Sequence, residues 1–253
     1  MTSQSPAMGE PNRPTGGRPG DPRMTLPEQG QMAMAGRRED AAADERFGIR
    51  GGVADAVPLG LAAFALATFM FSAFNAGWTS GTVAWLTFGI FAGGLVQLLA
   101  GMWSFRNRDL FGTVAFSMYG AFYLGLALYV ILVAPGAGAA AQRNDLAWIF
   151  LAFALFNAYL TLWASQVNEA LFLLFFFVGV TLVVLCVGFF IDNNQVVRIG
   201  GYFGVIAALV AWYASSAGLI NGLLGRKVLK MGGPIHIDLE RRSARRTPAT
   251  TSQ

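Results

Sequence analysis

The stretch from Ala56 to Phe105 contains no Asp, Glu, Lys, Arg or His. A soluble domain of ordinary composition, about one-quarter charged, does not leave such a gap. Over the whole chain 13% of residues are charged against 55% AVILMFWYC, the balance expected when lipid is the solvent of most of the fold. Cysteine and histidine are nearly absent too. The single Cys186 excludes an intramolecular disulfide and, inside an apolar run, reads as a small buried side chain. The single histidine, His236, falls in the C-terminal tail, so a metal site or a histidine-based catalytic centre has almost nothing to build from. No cofactor and no enzymatic activity are expected.

What lies between the charges is apolar sequence long enough to cross a membrane repeatedly. A bilayer core about 30 Å thick takes about 20 helical residues at 1.5 Å rise each. Six such spans fit: Val57 to Gly77, Thr82 to Phe105, Phe111 to Ala134, Leu146 to Ala164, Ala170 to Ile191 and Ile199 to Leu224. Trp78-Thr79-Ser80-Gly81 separates the first two, with turn chemistry and an interfacial aromatic. The expected fold is an all-α membrane protein, a six-transmembrane-helix bundle over 55–225. Residues 1–54 read as a disordered cytosolic extension, because they mix seven acidic and seven basic residues with Pro and Gly and hold no apolar run of a signal peptide. Residues 226–253 read as a short basic cytosolic tail.

Basic residues set the orientation, since Lys and Arg near a span are retained on the cytoplasmic side. With six spans both termini lie together, and their side collects sixteen of the eighteen Lys and Arg; only Arg143 and Arg198 lie opposite. Both termini are therefore expected in the cytoplasm, with the Pro135 to Arg143 loop outside. The net charge of +4 is accounted for by the tail, where basic residues beside anionic lipid need no nucleic acid to explain them.

The predicted span interiors hold no ionisable carboxylate, amine or imidazole, so the available chemistry is that of amides and hydroxyls: Asn75, Gln97, Thr113, Ser117 and Asn157. Such groups either join helices or contact a polar solute. Gly89, Gly93 and Gly101 with Gly94 in span 2, and Gly200, Gly201 and Gly204 in span 6, permit close backbone approach within a bundle or between subunits. The Phe and Leu run Phe172 to Phe177 reads as a packing or lipid-facing surface.

Two stretches are more specific. Asp55-Ala-Val-Pro58-Leu59-Gly60-Leu61 opens span 1, and Gly93-Gly-Leu-Val-Gln97-Leu-Leu-Ala-Gly101-Met-Trp leads to Phe111-Gly-Thr-Val-Ala-Phe-Ser-Met-Tyr119-Gly120-Ala-Phe. Together they resemble the acetate uptake transporter family, the succinate-acetate permeases, over roughly Asp55 to Gly233. The resemblance implies a six-helix protomer with its own solute pathway, assembled as a homo-oligomer (a hexamer) in the plasma membrane and passing acetate or related short-chain carboxylates. It implies a constriction at Phe64, Tyr119 and Val178, and amide contacts at Asn75 and Gln97. Proton symport and a channel both remain open, as does a membrane scaffold or sensor whose tails bind partners.

The chain departs from the family pattern at three places. Asp55, Ala56 and Val57 replace the Asn-Pro-Ala of the family's opening motif. Ser104 stands where the family has an acidic residue. Asn107-Arg-Asp-Leu110 replaces Lys-Gly-Asn-Thr before span 3. For Asp55 three readings follow: it caps the helix, it assists proton-linked transport in protonated form, or this branch carries another solute.

Overall fold

The computed structural model describes Met34, residues 54–81 and residues 83–235. Contacts divide the chain into Met1–Asp44 and Glu45–Gln253, and the architecture below is that of the second unit. The expected N-terminal extension, apart from Met34 and Ala54, and the tail from His236 onward lie outside the described residues.

Six helical segments are long and apolar enough to cross a membrane: Val57–Asn75, Ala84–Arg106, Leu110–Gly136, Ala139–Ala164, Glu169–Phe190 and Asn194–Leu224. These are spans 1 to 6. Four of the N-termini are made by local chemistry. Pro58 occupies the first turn of span 1, where its missing N–H costs nothing. Asp109, Asn168 and Asn193 cap spans 3, 5 and 6, accepting from Gly112, Leu171 and Gln195 N–H at 3.1, 2.9 and 2.9 Å. Gly225, in the left-handed conformation at φ 59°, ends span 6.

Span 4 begins well before the expected Leu146. The Pro135 to Arg143 segment is not one loop: Ala134–Gly136 is a 3₁₀ turn and the helix starts at Ala139. Consecutive alanines favour helix, and the charges are met at the bundle's end. Arg143 pairs with Asp192 at 3.0 Å, and Tyr129 donates to Asp145 at 2.9 Å.

Span 1 is the hub, packing against span 6 on one side and span 2 on the other; span 3 continues from span 2, and spans 4 and 5 continue from span 6. Side chains close this ring between spans 3 and 4, where Phe122 and Phe153 lie 4.5 Å apart and Tyr119 reaches Asn157. Close approach inside the protomer accounts for the glycines. A Cβ on Gly120 would sit 2.9 Å from the Leu98 backbone, and one on Gly201 would strike the backbone of Ser72 and Ala76.

Span 2 is not uniform. Gly89–Val96 is π-helical, and Gln97 N–H bonds Ala92 O, five residues back. Gly89, Gly93 and Gly94 fall within these eight residues, where backbone freedom lets the turn widen. The wider turn shifts the register ahead of Gln97, whose amide ends up buried.

Candidate functional site

Three cavities line up inside the bundle. The first, about 240 Å³, opens at the end carrying the start of span 1, the turn between spans 2 and 3 and the turn between spans 4 and 5; Asp55, Asn107, Asp109 and Asn168 are in its wall. We call it the vestibule. The second, about 10 Å³, shares Leu61, Ala115, Phe116 and Phe175 with the vestibule. The third, about 30 Å³, shares only Phe64 and Tyr119 with the second. These two side chains therefore divide the second chamber from the third.

Their rings meet edge to face, with centroids 5.4 Å apart and planes at 80°. Val178 lines the third chamber beside them. The second chamber is about the size of one water-sized sphere, so the row is closed to a carboxylic acid at this layer. Spans 1, 3 and 5 thus supply the three residues that the resemblance assigns to a constriction.

The tyrosine is held from outside the row of cavities. Tyr119 OH donates to Asn157 Oδ1 at 2.7 Å, while Asn157 Nδ2 donates to Phe175 O at 2.8 Å and to Thr161 Oγ1 at 3.2 Å. Asn157 is 1% exposed, so its amide joins spans 3, 4 and 5 in a nearly water-free setting. With its hydroxyl so engaged, Tyr119 contributes the body of its ring to the constriction.

The row carries polar atoms that lack a protein hydrogen-bond partner among the described residues. They include Asn107 Oδ1, Gln97 Oε1 and Ser72 Oγ, buried atoms of residues that line the vestibule, the second chamber and the third chamber respectively. Their residues are 7%, 1% and 1% exposed. A buried polar atom without a partner costs about 1–3 kcal/mol, a cost that a passing polar solute or water would lift. Among the described residues no Lys, Arg or His lines any of the three cavities, and the charged residues in their walls are Asp55 and Asp109.

The remaining expected residues divide. Leu61 lines the vestibule and second chamber. Gly60 makes room for Phe116, whose ring lies 2.7 Å from where a Cβ would be. Pro58 O accepts from Ser215 Oγ at 2.7 Å, tying span 1 to span 6. Leu59 is exposed on the outside of the bundle. Asp55 Oδ1 accepts from Val57 N–H at 3.0 Å, so one carboxylate both holds the start of span 1 and faces the vestibule. Asn75 stands apart: its Nδ2 donates to Phe71 O at 2.9 Å, one turn back, and it lines none of the three cavities.

Sequence reading did not single out Thr68, Ser72, Thr181 or Phe175 as lining residues. A signal was present, because Thr68 and Ser72 follow Phe64 by four and eight positions and share its helix face. Phe175 and Thr181 flank Val178 by three on either side.

The comparisons with known proteins agree with this architecture. Residues 49–225 match the model of the GPR1/FUN34/yaaH family. Acetate permease A of Emericella nidulans is 37% identical over 190 residues, covering 66% of this chain and 62% of that protein. Ammonia transport outward protein 2 of Saccharomyces cerevisiae is 38% identical over 173 residues, covering 66% and 61%. The chain thus spans about three-fifths of the length of these fungal relatives. The solved structure of the bacterial acetate channel SatP superposes with a TM-score of 0.68 at 27% identity, covering 71% of this chain and 99% of that one. With six membrane-spanning helices around a closed aromatic layer, the chain belongs to the GPR1/FUN34/yaaH family.

Proposed function

We propose that this protein passes acetate or a related short-chain carboxylic acid across the plasma membrane, through the row of cavities in each protomer and without chemistry on the solute. The observation that carries this reading is the Phe64–Tyr119 layer, flanked on both sides by chambers whose lining includes a residue, Gln97 or Ser72, with a buried polar atom unpaired among the described residues. An apolar constriction excludes hydrated ions by dewetting, while polar atoms beside it replace part of a small solute's hydration. The names of the relatives, acetate permease and acetate channel, point to the same solute class.

The solute crosses the layer as the undissociated acid. Among the described residues no cation lines the row to hold a carboxylate, whereas the partnerless amide oxygens of Asn107 and Gln97, on residues that line it, are of the type that accepts from an acid O–H. The carboxylates in the vestibule wall, Asp55 and Asp109, add no attraction for an anion. Proton linkage then rides on the solute. Those same acceptor atoms also suit ammonia, the solute in the name of one relative.

Both termini face the cytoplasm in this reading, and the protomers form a homo-oligomeric ring, a hexamer by resemblance. The test is uptake of labelled acetate by liposomes holding the purified protein, with and without an inward proton gradient. Gradient-stimulated uptake that methylammonium does not inhibit supports the reading; uptake of labelled methylammonium with no uptake of acetate would favour the ammonia reading. Removing residues 1–50 should leave uptake intact. Loss of binding partners with no uptake to lose would instead mark a scaffold.

A further inference from the structure

Over the described residues beyond span 6 the chain stays against the bundle. Residues 226–235 turn back along the vestibule end without forming helix or strand, and hydrogen bonds fix them along their length. Asn221 Oδ1 accepts from Val228 and Leu229 N–H at 2.7 and 3.0 Å, and its Nδ2 donates to Leu229 O at 2.8 Å. Tyr213 OH donates to Lys230 O at 2.6 Å. Ala170 N–H, one of the donors left without an intrahelical partner at the start of span 5, donates to Met231 O at 3.0 Å. Ile235 N–H then donates to Ser165 O at 2.7 Å, and Gln166 Nε2 to Ile235 O at 3.3 Å. Gly232 takes φ +75°, and a Cβ there would lie 2.6 Å from the Glu169 side chain.

This strap brings one side chain to the candidate pathway. Met231 lines the vestibule together with Leu171 and Phe175, and it packs against the hydrophobic core. It also lines a second, outer groove of about 530 Å³ along spans 5 and 6, in company with Lys230 and Gly232. Among the described residues Met231 alone lines both cavities, so it forms the partition between vestibule and groove. A methionine suits such a wall, because its unbranched thioether adapts to an irregular gap.

We propose that the strap is a wall of the solute pathway and that Met231 is a specificity-determining residue at its mouth, setting the size of the acid admitted. The inference rests on the reading of the vestibule as part of that pathway. It makes residues 226–235 a working part of the transporter, in addition to any role of the tail's basic residues at the lipid surface.

The test uses the full chain in liposomes, with Cys186→Ala to remove the native thiol and either Met231→Cys or Val228→Cys added. Val228 is exposed and lines neither cavity. Labelled acetate uptake is measured on the same preparation before and after reaction with a bulky thiosulfonate. Modified Met231→Cys should fall to the uptake of empty liposomes, excess acetate should slow that modification, and modified Val228→Cys should be unchanged. Unaltered uptake by fully modified Met231→Cys, while the unmodified protein carries acetate, would overturn the strap as a wall. If the unmodified parent carries no acetate, it is the proposed function that fails. Should Met231→Cys not fold, Met231→Ala answers the same question: the ratio of butyrate to acetate uptake should rise about tenfold, the discrimination a pocket gains or loses with one or two methylenes. An unchanged ratio rejects the proposal.

Discussion

Tyr119 OH and Asn157 Oδ1 lie 2.7 Å apart, joining span 3 to span 4 behind the aromatic layer. The bond fixes where the Tyr119 ring stands against Phe64. Removing either partner frees the ring, and removing the second then changes little more. Groups sharing one network couple by about 0.5–3 kcal/mol. Tyr119→Phe, Asn157→Leu and the double variant should therefore be non-additive in acetate flux, by a coupling of at least about 1 kcal/mol. Additive effects would mean that the bond holds the fold without setting the gate.

Phe64→Ala should widen the layer from the opposite side. A wider constriction stays wetted, so flux of a larger acid such as butyrate should rise relative to acetate, and proton leak should appear. Truncating a buried Phe costs about 3–5 kcal/mol, so the comparison is made on protein that still elutes as the folded species. Unchanged selectivity in folded protein would leave Phe64 as packing alone.

Ser72 makes a prediction in which stability and transport move in opposite directions. Ser72 lines the third chamber, and its Oγ is buried without a protein partner among the described residues. In Ser72→Ala the solute-free protein should gain about 1 kcal/mol, the penalty of an unsatisfied hydroxyl, and acetate flux should fall. A melting curve and an uptake assay on the same preparation check both directions. Loss of stability would mean that the hydroxyl has a structural partner.

Phe64 and Tyr119 could be picked out because each sits in or just after a recognisable motif, and their rings meet between two cavities. The helix faces were legible only in part. Asn75 and Asn157 are the same residue type inside a span, yet one closes on its own helix at Phe71 O and the other bridges two helices. Nothing in local composition separates those outcomes. Span 4 was read too short because Arg143 and Asp145 were counted as loop, whereas partners on neighbouring elements let the helix carry them. The strap was invisible for a related reason. Its path is set by Asn221, Tyr213 and the start of span 5, contacts that no periodicity encodes.

Orientation has a direct chemical check. Ala139 is exposed where span 4 begins, at the end opposite the vestibule, and Cys186 is buried. Cysteine introduced at Ala139 should label with a membrane-impermeant reagent in intact cells. Labelling only after permeabilisation would reverse the assignment and place the vestibule outside.

Asp55 joins two roles that sequence alone had kept apart. Its Oδ1 accepts the Val57 N–H at 3.0 Å, and the same side chain stands in the vestibule wall. Asparagine keeps the acceptor and removes the charge, so Asp55→Asn separates the roles. If the solute crosses as the neutral acid, the carboxylate has little hold on it, and the hydrogen bond is what matters. Asp55→Asn should then leave melting temperature, acetate uptake and its pH profile nearly unchanged. Asp55→Ala should lower stability by about 1 kcal/mol, the usual loss when a polar side chain no longer holds a helix start. A large rise in neutral-pH uptake in Asp55→Asn would mean that an anion traverses the vestibule and is repelled there. Loss of pH dependence would make the Asp55 carboxyl itself a proton carrier, and either result would displace the neutral-acid reading.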